Sequence, residues 1–400
     1  MKKILITGAT GFLGKHLINY FKNSEYELLL VGRNLEQLKK NYPKIDAIDY
    51  SNLHDLDANI DVIIHLAVAN NNVDLPYIDY FNANVKLYSC ILNFAATKSV
   101  KKVININTLH IFSSKSNNYV VTKRLALKEE KKFKELNIVN IFCPMIYAKK
   151  FNGKLKFLNL FPNLISRILF EILSSLKPVV KVQSVIDNVS HAISSLQDCE
   201  KYIYISDNKD DNLFYKLFKR SMDISFVILT ISLFWWLLLI IWILISLSSK
   251  GPVIFVQSRV GKGGKLFKCY KFRTMYVETK SMSTHEVDRN SVTKIGRFLR
   301  SLKLDELPQI VNILRGELSL VGPRPGLPSQ TRLYYARKSR NIYSVLPGIT
   351  GLAQVNNIDM STPEKLAEYD SRYIAMKSIP SEIKILLKTF VGQGGGDRIK

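Results

Sequence analysis

At 400 residues, 47% hydrophobic and 22% charged, the chain is too long for one ordinary domain and too apolar to be disordered. Lysine and arginine outnumber aspartate and glutamate 57 to 33, a net charge of +24 that favours anionic partners: nucleotide phosphates, nucleic acid or an anionic lipid surface. Four separated cysteines (Cys90, Cys143, Cys199 and Cys269), with no CxxC pair, argue against a disulfide framework or cysteine zinc site and for a reducing compartment. MKKILITGATG has no long apolar run behind its lysines, so a signal peptide is not expected there.

The first predicted element is a short apolar strand, KILIT, running into GATGFLG and then the helical pattern KHLINYF. Strand, glycine turn and helix are the context of a dinucleotide fingerprint. Gly8 makes the tight turn, Gly11 admits a pyrophosphate, and Gly14 allows close helix–strand packing. A second strand, YELLLVG, ends at Arg33, where a carboxylate would suit the ribose of NAD. An arginine there pairs with the 2′-phosphate of NADP or is simply a solvated loop charge. A third strand ends at Asp49 and a fourth, DVIIHLAVA, begins at Asp61. Strands alternating with helices predict an α/β fold with a Rossmann-like, doubly wound parallel sheet. Tyr119 and Lys123, four apart on a helix, share a face, so the ammonium can ease proton transfer from the phenol. Thr108, at the end of KKVININT, is placed to hydrogen-bond the substrate oxygen.

Residues 1–205 resemble the extended short-chain dehydrogenase/reductases, the NAD-dependent epimerase/dehydratase family, through GATGFLG, His65-Leu66-Ala67, Asn84, Thr108, Tyr119, Lys123 and VIDNV at 185–189. The resemblance implies a catalytic triad of Thr108, Tyr119 and Lys123, an NAD or NADP cofactor held at Gly8, Gly11, Gly14 and Arg33, and Asp49 at the adenine. Two departures, the spacing of 11 positions from Thr108 to Tyr119 and a shortened substrate-covering part, leave a non-catalytic nucleotide-binding module as the alternative.

Residues 206–218, beginning SDNKDDN, are read as a linker and 219–250 as a membrane helix. From Ile224 to Leu247 no charge occurs, and about 20 such residues cross a bilayer core. Lys216, Lys219 and Arg220 precede this segment, and Lys250, Arg259, Lys262 and Lys265 follow it. Positive charge on both flanks predicts a re-entrant helix, entering and leaving by one face, with a spanning helix as the alternative.

Residues 251–391 are read as a small mixed α/β domain with amphipathic helices, and 392–400 as a flexible tail. The paired carboxylates Asp305 and Glu306 open an amphipathic run among Lys271, Arg273, Arg297, Arg300 and Arg324, a combination suited to a diphosphate and Mg²⁺. In VGPRPG, Pro323 and Pro325 hold Arg324 for a phosphate or base contact.

The stretch from Lys219 to about Thr389 resembles the bacterial sugar transferases, monotopic phosphoglycosyl transferases, through KRxxD at 219–223, SKGPVIF, KFRTM, DELPQ, VGPRP, PGITG, and Asp370 with Tyr373. That resemblance implies a bacterial inner membrane enzyme working on its cytoplasmic face, with a UDP-sugar donor and undecaprenyl phosphate as acceptor. It makes Asp305 the nucleophile, Glu306 the Mg²⁺ ligand, and Lys271, Arg273, Arg300, Pro323, Arg324, Pro325 and Asp370 the substrate contacts. Trp235-Trp236 stands where the family often has a Ser-Pro break, and Leu346 where relatives often carry arginine. A fused enzyme that finishes a UDP-sugar, an N-acetylated 6-deoxyhexosamine, and loads it onto lipid is the expected function. No nucleic-acid motif accompanies the charge, and a homodimer remains open.

Overall fold

A computed structural model describes residues 2–57, 59–69, 75–113, 116–195, 200–276 and 291–392. The tail read as flexible lies outside the described residues from 393 on. The chain divides into two units, residues 1–170 with 178–207, and residues 171–177 with 208–400.

The strands of the first unit are β1 (Lys3–Thr7), β2 (Glu27–Val31), β3 (Asp46–Ile48), β4 (Val62–His65), β5 (Lys102–Thr108), β6 (Ile138–Cys143), the separately paired β7 (Met145–Tyr147) and β8 (Val179–Lys181), and β9 (Tyr202–Tyr204). Seven of them form one parallel sheet in the order β3-β2-β1-β4-β5-β6-β9, the doubly wound arrangement expected. Helices α1 (Phe12–Phe21), α2 (Leu35–Asn41), α3 (Tyr77–Phe81), α4 (Leu87–Thr97), α5 (Asn118–Glu129), α6 (Asn163–Leu176), whose last turns from Glu171 belong to the second unit, and α7 (Val182–Ser194) alternate with the strands.

Both faces of the sheet are covered, which is why its strands read as continuous apolar runs. Side chains alternate across a strand, so Ile4 and Ile6 pack with Leu17, Val185 and Val189 on one side. Leu5 packs with Tyr88, Ile91 and Leu92 on the other.

The second unit begins with the long apolar helix α8 (Leu213–Ser248). It starts inside the stretch read as linker because Asn212 caps it, its side chain accepting from Tyr215 N at 2.8 Å. No break interrupts the helix at Ser232 or at Trp235-Trp236. Its contour, about 1.5 Å per residue, exceeds the roughly 30 Å bilayer core. A hairpin of β10 (Ile254–Val260) and β11 (Leu266–Phe272) follows, then α9 (Lys294–Ser301) and a tight 3₁₀ turn, Leu304–Gln309, that leads into α10 (Ile310–Leu314). The short strands β12 (Ser319–Val321) and β13 (Gly348–Thr350) pair in parallel, with α11 (Thr331–Ser339) between them and α12 (Pro363–Met376) and α13 (Ile379–Phe390) after them.

KRxxD fastens α8 to this unit. Lys219 donates to Val321 O at 2.8 Å and to the Glu382 carboxylate at 2.6 Å. Arg220 donates to the carbonyls of Ile313 and Leu314 at the end of α10. Asp223 accepts from Ser319 Oγ and Leu320 N. Further along, Ile241 and Ile245 pack with Val253, Phe272 and Leu299. Both arms of α8 thus rest on the same unit, while residues 231–236 between them are exposed on every side.

Candidate active sites

In the second unit the DELPQ segment forms the 3₁₀ turn, entered through Lys303 at φ 58°, a left-handed conformation uncommon outside glycine. That entry presents both carboxylates to β11 and the VGPRPG loop. Glu306 Oε1 accepts from Lys271 Nζ at 2.7 Å and from Arg324 Nη2 at 2.9 Å. Against the cost of burial, Arg324 and Lys271 hold the Glu306 carboxyl well below the usual range. Asp305 moves the other way: burial and the adjacent Glu306 charge push it up, and Lys271, Arg300 and Arg324 only partly offset them. Two neighbouring carboxylates therefore have opposite characters, one a fixed anion and the other desolvated and basic.

The loops behind this pair are scaffold. A Cβ on Gly348 would lie 2.1 Å from Gly322 N, so VGPRPG and PGITG cross backbone against backbone. Pro323 and Pro325 are buried, with Pro323 O accepting from Gly348 N and Pro325 O from Arg259. Arg324 is left half-buried and turned toward Glu306.

Three expected contacts have other partners. Arg273 donates to Ser249 O at 2.7 Å and Lys250 O at 3.1 Å, clamping the end of α8. Asp370 is buried and takes Arg337 Nε and Nη2 on one oxygen, at 2.9 and 2.7 Å. Arg337 in turn donates to Arg324 O at 2.8 Å, so Asp370 acts on the site through Arg324. Arg300 Nε is held by Thr274 Oγ1 at 2.8 Å while its charge bears on Asp305.

Asn312 and Arg337 were not singled out from the sequence. Asn312 is fully buried, accepts from Tyr270 N, and donates to Lys268 O and Glu317. It sets the register of β11, and with it Lys271, against α10. One polar residue inside the apolar run IVNIL was the available signal. Beside the pair, an apolar cleft opens between Ile241 and Leu244 of α8 and Ile295, Phe298 and Leu299 of α9, with Leu304 at its end.

In the first unit, β1, the glycine turn and α1 are packed to contact. A Cβ on Gly14 would sit 2.4 Å from Gly8 O, and one on Gly8, at φ +73°, would sit 2.8 Å from Ala67 N. Gly11 is the N-cap of α1 and offers no side-chain cap, leaving the helix N–H groups to a ligand. Thr7 Oγ1 accepts from Leu66 N and Ala67 N and bonds His65 Nδ1, fixing the HLA loop behind the turn. Arg33 is exposed at the end of β2. Asp49 caps the following turn, its carboxyl accepting from Ser51 N and Oγ, which lower its pKa.

Thr108, Tyr119 and Lys123 are all buried, and the Tyr119 phenol hydrogen-bonds Thr108. Burial pushes the Tyr119 phenol up to about 12, opposed by a hydrogen bond with Thr108. Burial also brings Lys123 down to about 8, opposed by Glu130. Asn84 lies in a π-helical turn, where its side chain accepts from Ala69 N and donates to Thr122 Oγ1.

Residues 214–393 match the model of the family described as bacterial sugar transferase. Sugar transferase EpsL of Bacillus subtilis is 40% identical over 173 residues, 43% of this chain and 85% of that protein. The chain belongs to the bacterial sugar transferase family. UDP-glucose:undecaprenyl-phosphate glucose-1-phosphate transferase of Klebsiella pneumoniae is 42% identical over 182 residues, 43% of this chain. UDP-N-acetylgalactosamine-undecaprenyl-phosphate N-acetylgalactosaminephosphotransferase of Aeromonas hydrophila is 38% identical over 186 residues, 44% of this chain. The chain spans 39% and 43% of the length of these two relatives.

Residues 4–169 match the model of the NAD dependent epimerase/dehydratase family. Among solved structures, the Bordetella bronchiseptica enzyme WbmH in complex with NAD⁺ is 16% identical, with TM-score 0.42 over 52% of this chain and 76% of that one. The assignment of the first unit rests on its own strand order and glycine turn. A sugar transferase unit thus follows an epimerase/dehydratase-like unit in one chain, as the motifs implied.

Proposed function

We propose that the chain transfers a sugar-1-phosphate from a UDP-sugar to undecaprenyl phosphate through a covalent intermediate on Asp305. The observation that carries this reading is the charge arrangement at 305–306. Asp305 is a desolvated carboxylate with raised basicity, and Glu306 is held anionic by Lys271 and Arg324. A carboxylate oxygen of Asp305 attacks the sugar-bearing phosphorus, the bond to the bridging oxygen breaks, and UMP leaves with that oxygen. The acyl phosphate formed is then attacked by a phosphate oxygen of undecaprenyl phosphate, which restores the carboxylate. Splitting the transfer this way replaces one difficult displacement by two easier ones.

Lys271, Arg300 and Arg324 offset the charge that accumulates on the transferring phosphate. Asp305 and Glu306 are hard oxygen donors side by side, and Mg²⁺ habitually takes one or two carboxylates and completes its shell with phosphate and water. The pair therefore fits that ion, with Glu306 as ligand. Bound there, Mg²⁺ supplies Lewis-acid neutralisation of the diphosphate. The apolar cleft ending at Leu304 suits the first isoprene units of the acceptor.

Two packed arms of α8 on one unit, with an exposed apolar stretch between them, support a helix inserted in the inner membrane with its transferase unit on the cytoplasmic face. For the first unit, the glycine cradle and the uncapped N-terminus of α1 fit an NAD(P) pyrophosphate. That group supplies hydride transfer, and Thr108, Tyr119 and Lys123 bind the sugar oxygen and hold its proton. We assign this unit a UDP-sugar 4-keto reductase or epimerase activity that prepares the donor, an N-acetylated 6-deoxyhexosamine, for surface glycan assembly.

Purified protein with undecaprenyl phosphate, Mg²⁺ and a panel of UDP-sugars tests the transfer. Lipid-linked sugar diphosphate from wild type and none from Asp305→Asn is the expected result. Equal product from both would overturn the assignment.

A further inference from the structure

Helix α6 exposes its aliphatic side chains and buries its serines. Ser166, Ser174 and Ser175 are its buried residues, whereas Leu164, Ile165, Ile168, Ile172 and Leu176 remain 38–71% exposed. Those five recur at helical spacing along one face, the reverse of what a helix covered by its own unit shows. Leu160, 84% exposed, extends the stripe at its N-terminal side. An apolar patch of that extent marks an interaction surface.

Two observations identify the partner as lipid. Between residues 149 and 181 the chain carries seven lysines and arginines against one acid, Glu171, so the surroundings are complementary to an anionic surface. The last turn of α6 is also tied to the base of α8. Asn212 Nδ2 donates to Glu171 O at 2.7 Å and Ser174 Oγ at 2.8 Å, and Lys209 Nζ to Ser174 O and Lys177 O. On the first turns of α8, Leu213 and Leu217 are 60% and 58% exposed. Apolar surface therefore occurs on both helices at the point where they are joined.

We propose that α6 is a second membrane-contacting element, lying in the plane of an anionic headgroup layer with Leu164, Ile168 and Ile172 turned into the acyl boundary. The proposal rests on the reading of α8 as a membrane helix.

The test uses full-length protein with its native cysteines replaced by serine and one environment-sensitive fluorophore, on Ile168→Cys, Trp235→Cys or Lys39→Cys. Each is reconstituted in nanodiscs containing phosphatidylglycerol, with and without spin-labelled lipid as quencher. The expected result is a blue shift and lipid quenching at 168 and 235 and neither at 39. Replacing phosphatidylglycerol with phosphatidylcholine should weaken the quenching at 168 and leave that at 235. Should Ile168→Cys fail to fold, Leu164→Cys takes its place. A quenched probe at 235 with an unquenched one at 168 would overturn the proposal for α6 alone. A blue shift at 168 without quenching would overturn it too, in favour of a second copy covering the face. An unquenched probe at 235 would remove the membrane reading of α8 and the α6 assignment with it.

Discussion

In the proposed transfer, the chemistry turns on one pair of adjacent carboxylates made unequal by their neighbours. Asp305 gains a proton more readily in the folded chain than in the unfolded one, because burial and Glu306 raise its pKa. Ionising it therefore lowers stability: the penalty is absent below the ordinary aspartate pKa, grows as pH rises, and is complete above the raised value. Asp305→Asn should melt at a higher temperature than wild type at neutral pH, with the gain vanishing in acid, while UMP release is lost. Calorimetry across pH checks this, and a lower melting temperature at neutral pH would contradict it. Because the nucleophile must be ionised, wild-type UMP release should also fall in acid at a higher pH than an ordinary aspartate would dictate. Lys271→Met should cut UMP release by about 10²–10³-fold, the usual effect of removing one charge-stabilising donor. The acid pair, Lys271 and Arg324 were legible in the sequence because motif spacing and residue type carry their chemistry. Arg337 was not, since TRLYYARKSR gives no sign of which cation turns inward.

At the scale of elements, rigidity comes from a few buried polar ties. Asp370 and Arg337, both nearly inaccessible, hold the backbone of Arg324. Removing one partner of such a pair costs about 3–5 kcal/mol, so Asp370→Ala should destabilise the unit and raise KM for the UDP-sugar through Arg324. A stability loss with an unchanged KM would show that the pair does not act on the loop. Asn312→Leu, which abandons two hydrogen bonds from α10 to β11 and one to Glu317, should cost roughly 2–4 kcal/mol, read as a shift in the denaturation midpoint. Sequence periodicity placed the first five strands of the first unit and the long apolar helix, since both signals are local, but not β6 to β9. It did not place the start of α8 at Asn212, because a polar linker and a capped first turn have the same composition. Nor did it distinguish Arg273, a clamp on Ser249 and Lys250, from a ligand-binding arginine, since that depends on where the end of α8 lies.

For the whole molecule, one chain joins a unit suited to a nucleotide cofactor to one suited to a lipid-linked transfer. Two activities on one nucleotide-sugar gain from tethering because the product of one is held near the other. The activities should nevertheless be separable. Tyr119→Phe should reduce NADPH-dependent conversion of a UDP-4-keto sugar by about 10²–10⁴-fold, the usual contribution of a positioned acid. Transfer from a finished UDP-sugar should be unchanged. Loss of both would contradict two independent sites, and a wild type inert toward NADH and NADPH would make the first unit a binding module. The fold of that unit was legible in GATGFLG and its alternating strands, whereas its sugar was not, because specificity resides in side chains that cover the substrate rather than in the cradle.

The most direct test of the covalent account omits the acceptor lipid. Purified protein mixed with a suitable UDP-sugar and Mg²⁺ should release UMP in a single burst, stoichiometric with enzyme. The same sample should gain the mass of one phosphosugar on the peptide that contains Asp305. A protein that releases no UMP until undecaprenyl phosphate is added, and never carries that mass, would transfer the sugar phosphate directly and contradict the account.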